Sequence, residues 1–172
     1  MTKTTDKWVL EAVARYERPL LRFATSLVGP AQAPDIVQDA FLALVREERS
    51  RVEGHLAAWL FTVTRNRALD LARRTGRAES LPEGDEVPSP DSGPQVKVER
   101  RQTLSRLQQL VDDLPERERE AVRLKFSGGL SYQEIADTMQ LSVSNVGFIL
   151  HSAMKTLRTE LRSDAVAEGS AR

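Results

Sequence analysis

Residues 128–158 read GGLSYQEIADTMQLSVSNVGFILHSAMKTLR, and this stretch decides the fold. Ser131 followed by Glu134 is a capping-box pattern, in which hydroxyl and carboxylate each satisfy a backbone N–H that a first helical turn leaves unpaired. The helix it opens carries Ile135, Ala136 and Met139. After a short turn at Gln140-Leu141, Ser142 caps a second helix that runs to about Arg162. With helical periodicity, Val143, Val146, Leu150, Ala153, Leu157 and Leu161 fall on one side of that helix, and Ser144, Phe148, His151, Ser152, Lys155 and Arg162 on the other. Ala136 is small enough for two helices to cross closely, Leu141 plugs the turn, and Val146 and Ile149 point inward. Spacing, caps and plug together describe a helix-turn-helix, whose second helix can enter the DNA major groove. A plain helical hairpin shares the periodicity but has no need for the plug and the paired caps. Phe148 on the outer face fits three surroundings: a thymine methyl, a partner protein, or the core behind it.

Two helices are expected upstream. One covers about Val98 to Asp113, with Leu104, Leu107, Leu110 and Val111 on one face. The next starts at Pro115, has Glu116 and Glu118 at the positive end of its dipole, runs through Ala121, Val122, Leu124 and Phe126, and stops at Gly128-Gly129. Before them, Thr75 to Gln95 reads TGRAESLPEGDEVPSPDSGPQ, too poor in apolar residues to offset its ordering entropy. The organisation expected is all-α: a helical module over residues 7–74, a flexible acidic linker over 75–97, and a helical module over 98–162. No convincing strand pattern occurs.

In the first module, PDIVQDAFLALVREE places Ile36, Val37, Ala40, Phe41, Leu44 and Val45 on a core face, with Asp35, Gln38, Asp39 and Leu42 opposite. An acidic face of this kind is either solvated or a docking surface for a basic partner helix. The helix from about Leu56 to Arg74 turns Leu60, Phe61, Ala68, Leu71 and Ala72 inward. It turns Trp59, Val63, Asn66, Arg67, Asp70, Arg73 and Arg74 outward. Cations beside an aromatic suit single-stranded nucleic acid, where bases stack and phosphates are neutralised; the alternative is a Trp covering a neighbouring helix. A loop from Arg49 through Arg51 to His55 precedes this face.

Of 172 residues, 25 are Lys or Arg and 25 are Asp or Glu, so the net charge is zero. Residues 1–74 hold 12 basic and 9 acidic groups, residues 75–99 hold 2 and 6, and residues 100–172 hold 11 and 10. The linker therefore offsets two mildly basic modules, which argues against coating of nucleic acid by charge alone. There is no cysteine, and the two histidines, His55 and His151, are far apart, so neither a disulfide nor a metal centre is expected. The start, MTKTTDKWVLEAV, lacks a signal peptide's apolar core, and no stretch is apolar enough for a membrane span. A soluble cytoplasmic protein with no cofactor is the expectation.

Four stretches resemble the extracytoplasmic-function sigma factors, the sigma-70 relatives reduced to conserved regions two and four. They are LLRFATSLVGPAQAPDIVQDAFLALVRE, HLAAWLFTVTRNRALDLARR, LPERERE, and GGLSYQEIADTMQLSVSNVGFILHSAMKTLR. Their order on both sides of a linker makes the resemblance specific. It implies a promoter-reading subunit of RNA polymerase and no catalysis. Asp35, Gln38, Asp39 and Leu42 would grip the clamp helices of the polymerase largest subunit. Arg49, Arg51, His55, Trp59, Arg65, Asn66, Arg67, Arg73 and Arg74 would open and capture the minus-ten element. Ser131, Tyr132, Ser142, Ser144, Asn145, Phe148, His151, Ser152 and Lys155 would read the minus-thirty-five element as duplex. The polymerase flap and an anti-sigma factor are further partners the family implies, and the acidic linker would thread toward the RNA exit path.

Two departures stand out. Family members commonly carry a Lys-Ser-Arg run and further arginines on the recognition helix, whereas this chain has Gly147-Phe148-Ile149, with Ser152 and Met154 beyond. Gln140 stands where many helix-turn-helix units place Gly, so a left-handed turn there carries a small strain. The rival readings are a stand-alone helix-turn-helix regulator, a helical enzyme, and an interaction module that has lost DNA reading. The regulator needs a dimer interface or sensor domain, and neither is visible. The enzyme needs a second acid cluster, a metal ligand set or a phosphate loop beside Asp35 and Asp39.

Overall fold

The computed structural model describes residues 2–75 and 94–170, with side chains from Lys7 to Thr75 and from Arg101 to Asp164. Within these residues the chain is all-helical. Most of the acidic linker, residues 76–93, lies outside the described residues.

The first half comprises α1 (Thr2–Val28), α2 (Ala33–Val45), the short α3 (Arg49–Val52) continued by a 3-10 turn over Glu53–His55, and α4 (Leu56–Thr75). Helix α1 ends at Gly29, whose φ of 84° favours a residue without Cβ. Helix α2 carries Pro34 in its first turn, and Ala33, Ile36, Val37, Ala40 and Leu44 are buried along it. The interval expected as a loop, Arg49–His55, is instead helical. Arg49 reaches Glu53 at 2.6 Å and Arg51 reaches Glu47 and Glu48 at 3.7 Å, pairs one turn apart that favour helix. Val45 was expected in the core but is exposed at the end of α2.

Helices α1, α2 and α4 pack against one another around Leu20, Phe23, Leu44, Leu60 and Phe61. The rings of Phe23 and Phe61 lie 5.2 Å apart at 58°, a tilted geometry that aromatic pairs prefer. Thr64 is fully buried, and its Oγ1 has no hydrogen-bond partner, whereas Thr62 donates to the Ala58 carbonyl at 2.7 Å. A buried unpaired hydroxyl is destabilising. Thr64→Val is therefore expected to raise unfolding free energy by about 1 kcal/mol in urea titration. A loss of stability instead would mean that the hydroxyl finds a partner in solution.

The second half comprises α5 (Pro94–Asp112), α6 (Glu116–Val122), a π-helical turn over Arg123–Ser127, α7 (Tyr132–Met139) and α8 (Val143–Ser170). Helix α5 begins at Pro94, so residues 94–97, expected in the linker, are helical; a proline suits a first turn because its missing N–H has no partner there. Leu110 and Leu114 are buried, while Leu104 and Leu107 are exposed, so only the C-terminal part of the expected apolar face packs. Gly128 N–H donates to the Arg123 carbonyl at 3.0 Å, an i to i−5 bond. That extra residue in the turn rotates Phe126 outward, leaving it 60% exposed where uninterrupted α-helix had placed it inward.

Arg106 on α5 donates to both carboxylate oxygens of Asp164 on α8, at 2.7 and 3.1 Å. This hydrogen bond holds Asp164 below the usual carboxylate range. A carboxylate with a lowered folded pKa stabilises the fold above its unfolded value, so this clip loosens as pH falls through the acid range.

A flexible tether leaves the placement of the two modules open, and the buried residues of both halves form one continuous core. Helix α4 packs on α7, and α1 packs on the π turn. Arg22 Nε donates to the Ser127 carbonyl at 3.0 Å, and Arg65 forms an ion pair with Glu120. The halves also come close at Gly128, where an added Cβ would lie 2.6 Å from Phe61 Cε1.

Candidate nucleic-acid interface

Helices α7 and α8 form the expected helix-turn-helix. Ser131 Oγ accepts from Glu134 N–H at 3.2 Å while the Glu134 carboxylate accepts from Ser131 N–H at 2.7 Å, completing the capping box. Gln140 takes φ 56° and ψ 47°, the left-handed turn foreseen at this position. Ile135, Ala136, Val146, Ile149, Leu150, Ala153 and Leu157 are buried between the two helices and α6. Val143 and Leu161, expected inward, are exposed at the two ends of the packed stretch.

The outer face of α8 is open. Ser142, Ser144, Asn145, Phe148, His151 and Lys155 are exposed, as are Ser131 and Tyr132 at the start of α7. Phe148 is 73% exposed, which removes the option that it leans back onto the core. Ser142 Oγ accepts from Asn145 N–H at 3.1 Å and thereby caps α8. Ser152 differs from its neighbours: it is half-buried and donates to Glu118 Oε1 at 2.7 Å, so its hydroxyl serves the packing of α6 on α8. Tyr132 lies under the ammonium of Lys125, 5.4 Å from the ring centre.

On the first half, Asp35, Gln38, Asp39 and Leu42 share an exposed face of α2, with Leu42 48% exposed. Asn66, Arg67, Arg73 and Arg74 are exposed along α4, and His55 is exposed just before it. Arg67 Nη1 contacts Asp39 Oδ2 at 2.9 Å, which joins the acidic face of α2 to the basic face of α4. Arg73 lies 3.6 Å from Asp70. Trp59, read from the sequence as exposed, is half-buried against the core because α7 stands beside it. His55, Trp59 and Thr62 share a recess with Asp137, Thr138 and Gln140 of the second half.

Comparison with known proteins gives these faces a family. The Sigma-70 region 2 model matches residues 12–78 and the Sigma-70 region 4 model matches residues 104–157. An ECF RNA polymerase sigma factor, SigE, of Mycolicibacterium smegmatis is 34% identical over 155 residues, which cover 88% of this chain and 60% of that protein. The chain thus spans less than two thirds of that relative's length. The ECF RNA polymerase sigma-E factor of Escherichia coli K12 is 30% identical over 145 residues, covering 78% of this chain and 76% of that one. This chain belongs to the ECF RNA polymerase sigma factors.

In fold, this sigma factor is similar to a solved sigma factor RpoE in complex with the anti-sigma factor NepR from Bartonella quintana, with a TM-score of 0.62, 22% identity, and coverage of 90% and 96% of the two chains. The region 2 match rests on the half that a stand-alone helix-turn-helix regulator would replace with a dimer or sensor domain, so that rival is not favoured. No helix among the described residues of this sigma factor is long and apolar enough to cross a membrane.

Sequence reasoning missed the contacts that hold region 2 against region 4. Neither the pairing of Arg65 with Glu120 nor that of Arg22 with the Ser127 carbonyl is marked in the sequence, and the second spans 105 positions of chain. Within the second half, Asp112 and Arg123 form a partly buried pair at 2.7 Å, with the Arg123 side chain only 12% exposed. Burial lowers the Arg123 pKa, and the Asp112 carboxylate opposes that effect. Periodicity offers no signal for any of these contacts.

Proposed function

We propose that this sigma factor binds core RNA polymerase and directs transcription initiation at selected promoters, working in the cytoplasm and without bond chemistry of its own. The reading is carried by the coexistence of two faces on one chain: an exposed acidic face bordered by Leu42 on α2, and an open helix-turn-helix face on α8. Asp35, Gln38, Asp39 and Leu42 would dock on the clamp helices. The face of α4, from His55 and Trp59 through Arg65, Asn66, Arg67, Arg73 and Arg74, with Arg49 and Arg51 in the preceding turn, would take the melted minus-ten strand. Binding energy from stacking and charge contacts would offset the few kcal/mol that each unstacked step costs. The exposed face of α8, with Ser131 and Tyr132 of α7, would meet the minus-thirty-five duplex, and the second half would also contact the polymerase flap.

Arg65 and Trp59 are engaged between the halves, so promoter opening on this reading needs α4 and α7 to part. A partner that holds the halves together would keep the factor silent, and an anti-sigma factor is the class of protein that would do so. Run-off transcription with purified bacterial core polymerase and a genomic promoter pool tests the reading. Selected start sites are expected with the wild-type chain and at least about tenfold fewer with Asp35→Ala/Gln38→Ala/Asp39→Ala, the loss expected when a cluster of interface charges is truncated. Absence of core binding and of selected starts at saturating protein would overturn it.

A further inference from the structure

The recognition helix α8 carries an unusual set of readers. From Val143 to Leu157 it holds no arginine, the residue whose fork most often reads guanine. Lys155, the only cation in that stretch, lies roughly 18 Å along the axis from the first turn, a reach suited to phosphate rather than to the base edges met by the N-terminal residues. After Val143, itself exposed, the first two turns present Ser144, Asn145 and Phe148, all exposed. Asn145 and Phe148 are three residues apart and so lie side by side on one face.

Phe148 is 73% exposed, a large apolar surface left in water in the middle of polar side chains. Its neighbours decide what covers it. An apolar protein partner would have to desolvate Ser144, Asn145 and His151 around the ring and give them nothing in return. The floor of a major groove satisfies both kinds of group at once, since an adenine offers N7 and N6–H to an Asn amide and a thymine offers an apolar methyl. Resting on the assignment of α8 to duplex promoter DNA, we infer that this sigma factor reads an adenine–thymine step rather than a guanine in its upstream element, with Asn145 on the adenine edge and Phe148 on a thymine methyl.

The test uses the full chain. Duplexes are selected from a random pool, once by the chain bound to core polymerase and once by the chain alone. Each thymine of the selected element is then replaced singly by uracil, which removes only the methyl. One position is expected to lose about fourfold in binding, the change that burial of one methyl confers. Phe148→Ala is expected to abolish that methyl dependence while leaving the thermal melt unchanged, as its side chain is mostly in water, and Phe148→Leu to retain it. A selected element that is insensitive to every methyl, a Phe148→Ala chain that keeps the sensitivity, or an element specified by guanines would overturn the inference. Run-off transcription on the same templates separates the two claims. Starts without methyl dependence leave the sigma assignment standing and remove this one. Methyl dependence in the chain alone, without starts, does the reverse. Failure to select any duplex in either arm removes both.

Discussion

Asp112→Ala is expected to destabilise the chain by about 2–3 kcal/mol in urea denaturation, less than the roughly 3–5 kcal/mol for breaking a fully buried ion pair because Asp112 is partly solvated. Arg123 Nη2 donates to Asp112 Oδ1 at 2.7 Å, and the guanidinium is only 12% exposed. Arginine cannot discharge its proton to escape burial, even though burial pulls its pKa down. Removing Asp112 thus strands a cation in the wall of the π turn, the segment that packs on α1. The double variant Asp112→Ala/Arg123→Met is expected to regain most of the loss, because an apolar side chain of similar length needs no counter-charge. A single-variant loss below about 0.5 kcal/mol, the size of ordinary surface effects, would show that water reaches the guanidinium freely.

The second large effect is expected at Gly128. Its φ of −80° suits alanine, so the backbone itself does not require glycine. Space does: the added Cβ would meet Phe61 Cε1 at 2.6 Å, the Leu124 carbonyl oxygen at 2.7 Å and Leu130 Cδ1 at 2.9 Å. Overpacking of this kind costs about 1–3 kcal/mol in a close-packed interior. Here the strain has an outlet, because Phe61 belongs to α4 and Gly128 to the other half. Gly128→Ala is expected to part the halves rather than unfold either one. X-ray scattering would then give a larger radius of gyration at unchanged helical content by circular dichroism, and Trp59 would become more accessible to quenchers. Retention of the wild-type radius together with a lowered melting temperature would show instead that the clash with the Leu124 carbonyl dominates within the second half.

The two effects differ in kind because one concerns charge and the other space. Asp112 acts within the second half and leaves Arg123 without its hydrogen-bonded counter-charge. Gly128 acts at the contact between them, where a single methyl decides how closely α4 and the π turn can approach.

Much of the chain was legible in advance. Ser131, Glu134, Gln140 and Ser142 mark helix ends through local hydrogen-bond and backbone preferences, and those operate over four residues whatever the rest of the chain does. The buried stripe of Ile36, Val37, Ala40 and Leu44, and the exposed Asp35, Gln38 and Asp39 opposite it, follow from the 3.6-residue period for the same reason. Helical class, the order of the modules and the polar faces of α2 and α8 are thus properties that amino-acid order alone determined.

Tertiary structure decided the rest. Phe126 faces water because an i to i−5 bond at Gly128 shifts the turn, and no periodic pattern announces one inserted residue. Among the described side chains of α5, Leu104 and Leu107 stay exposed while Leu110 is buried, although Arg106 between them reaches Asp164 of α8. Trp59 is half covered, Arg65 is paired with Glu120, and Phe61 sits against Gly128, because burying apolar surface of both halves in one core outweighs leaving two small cores separate. Which surfaces meet depends on shape complementarity between segments dozens of residues apart, and that information is held by the folded chain as a whole, not by any stretch of it.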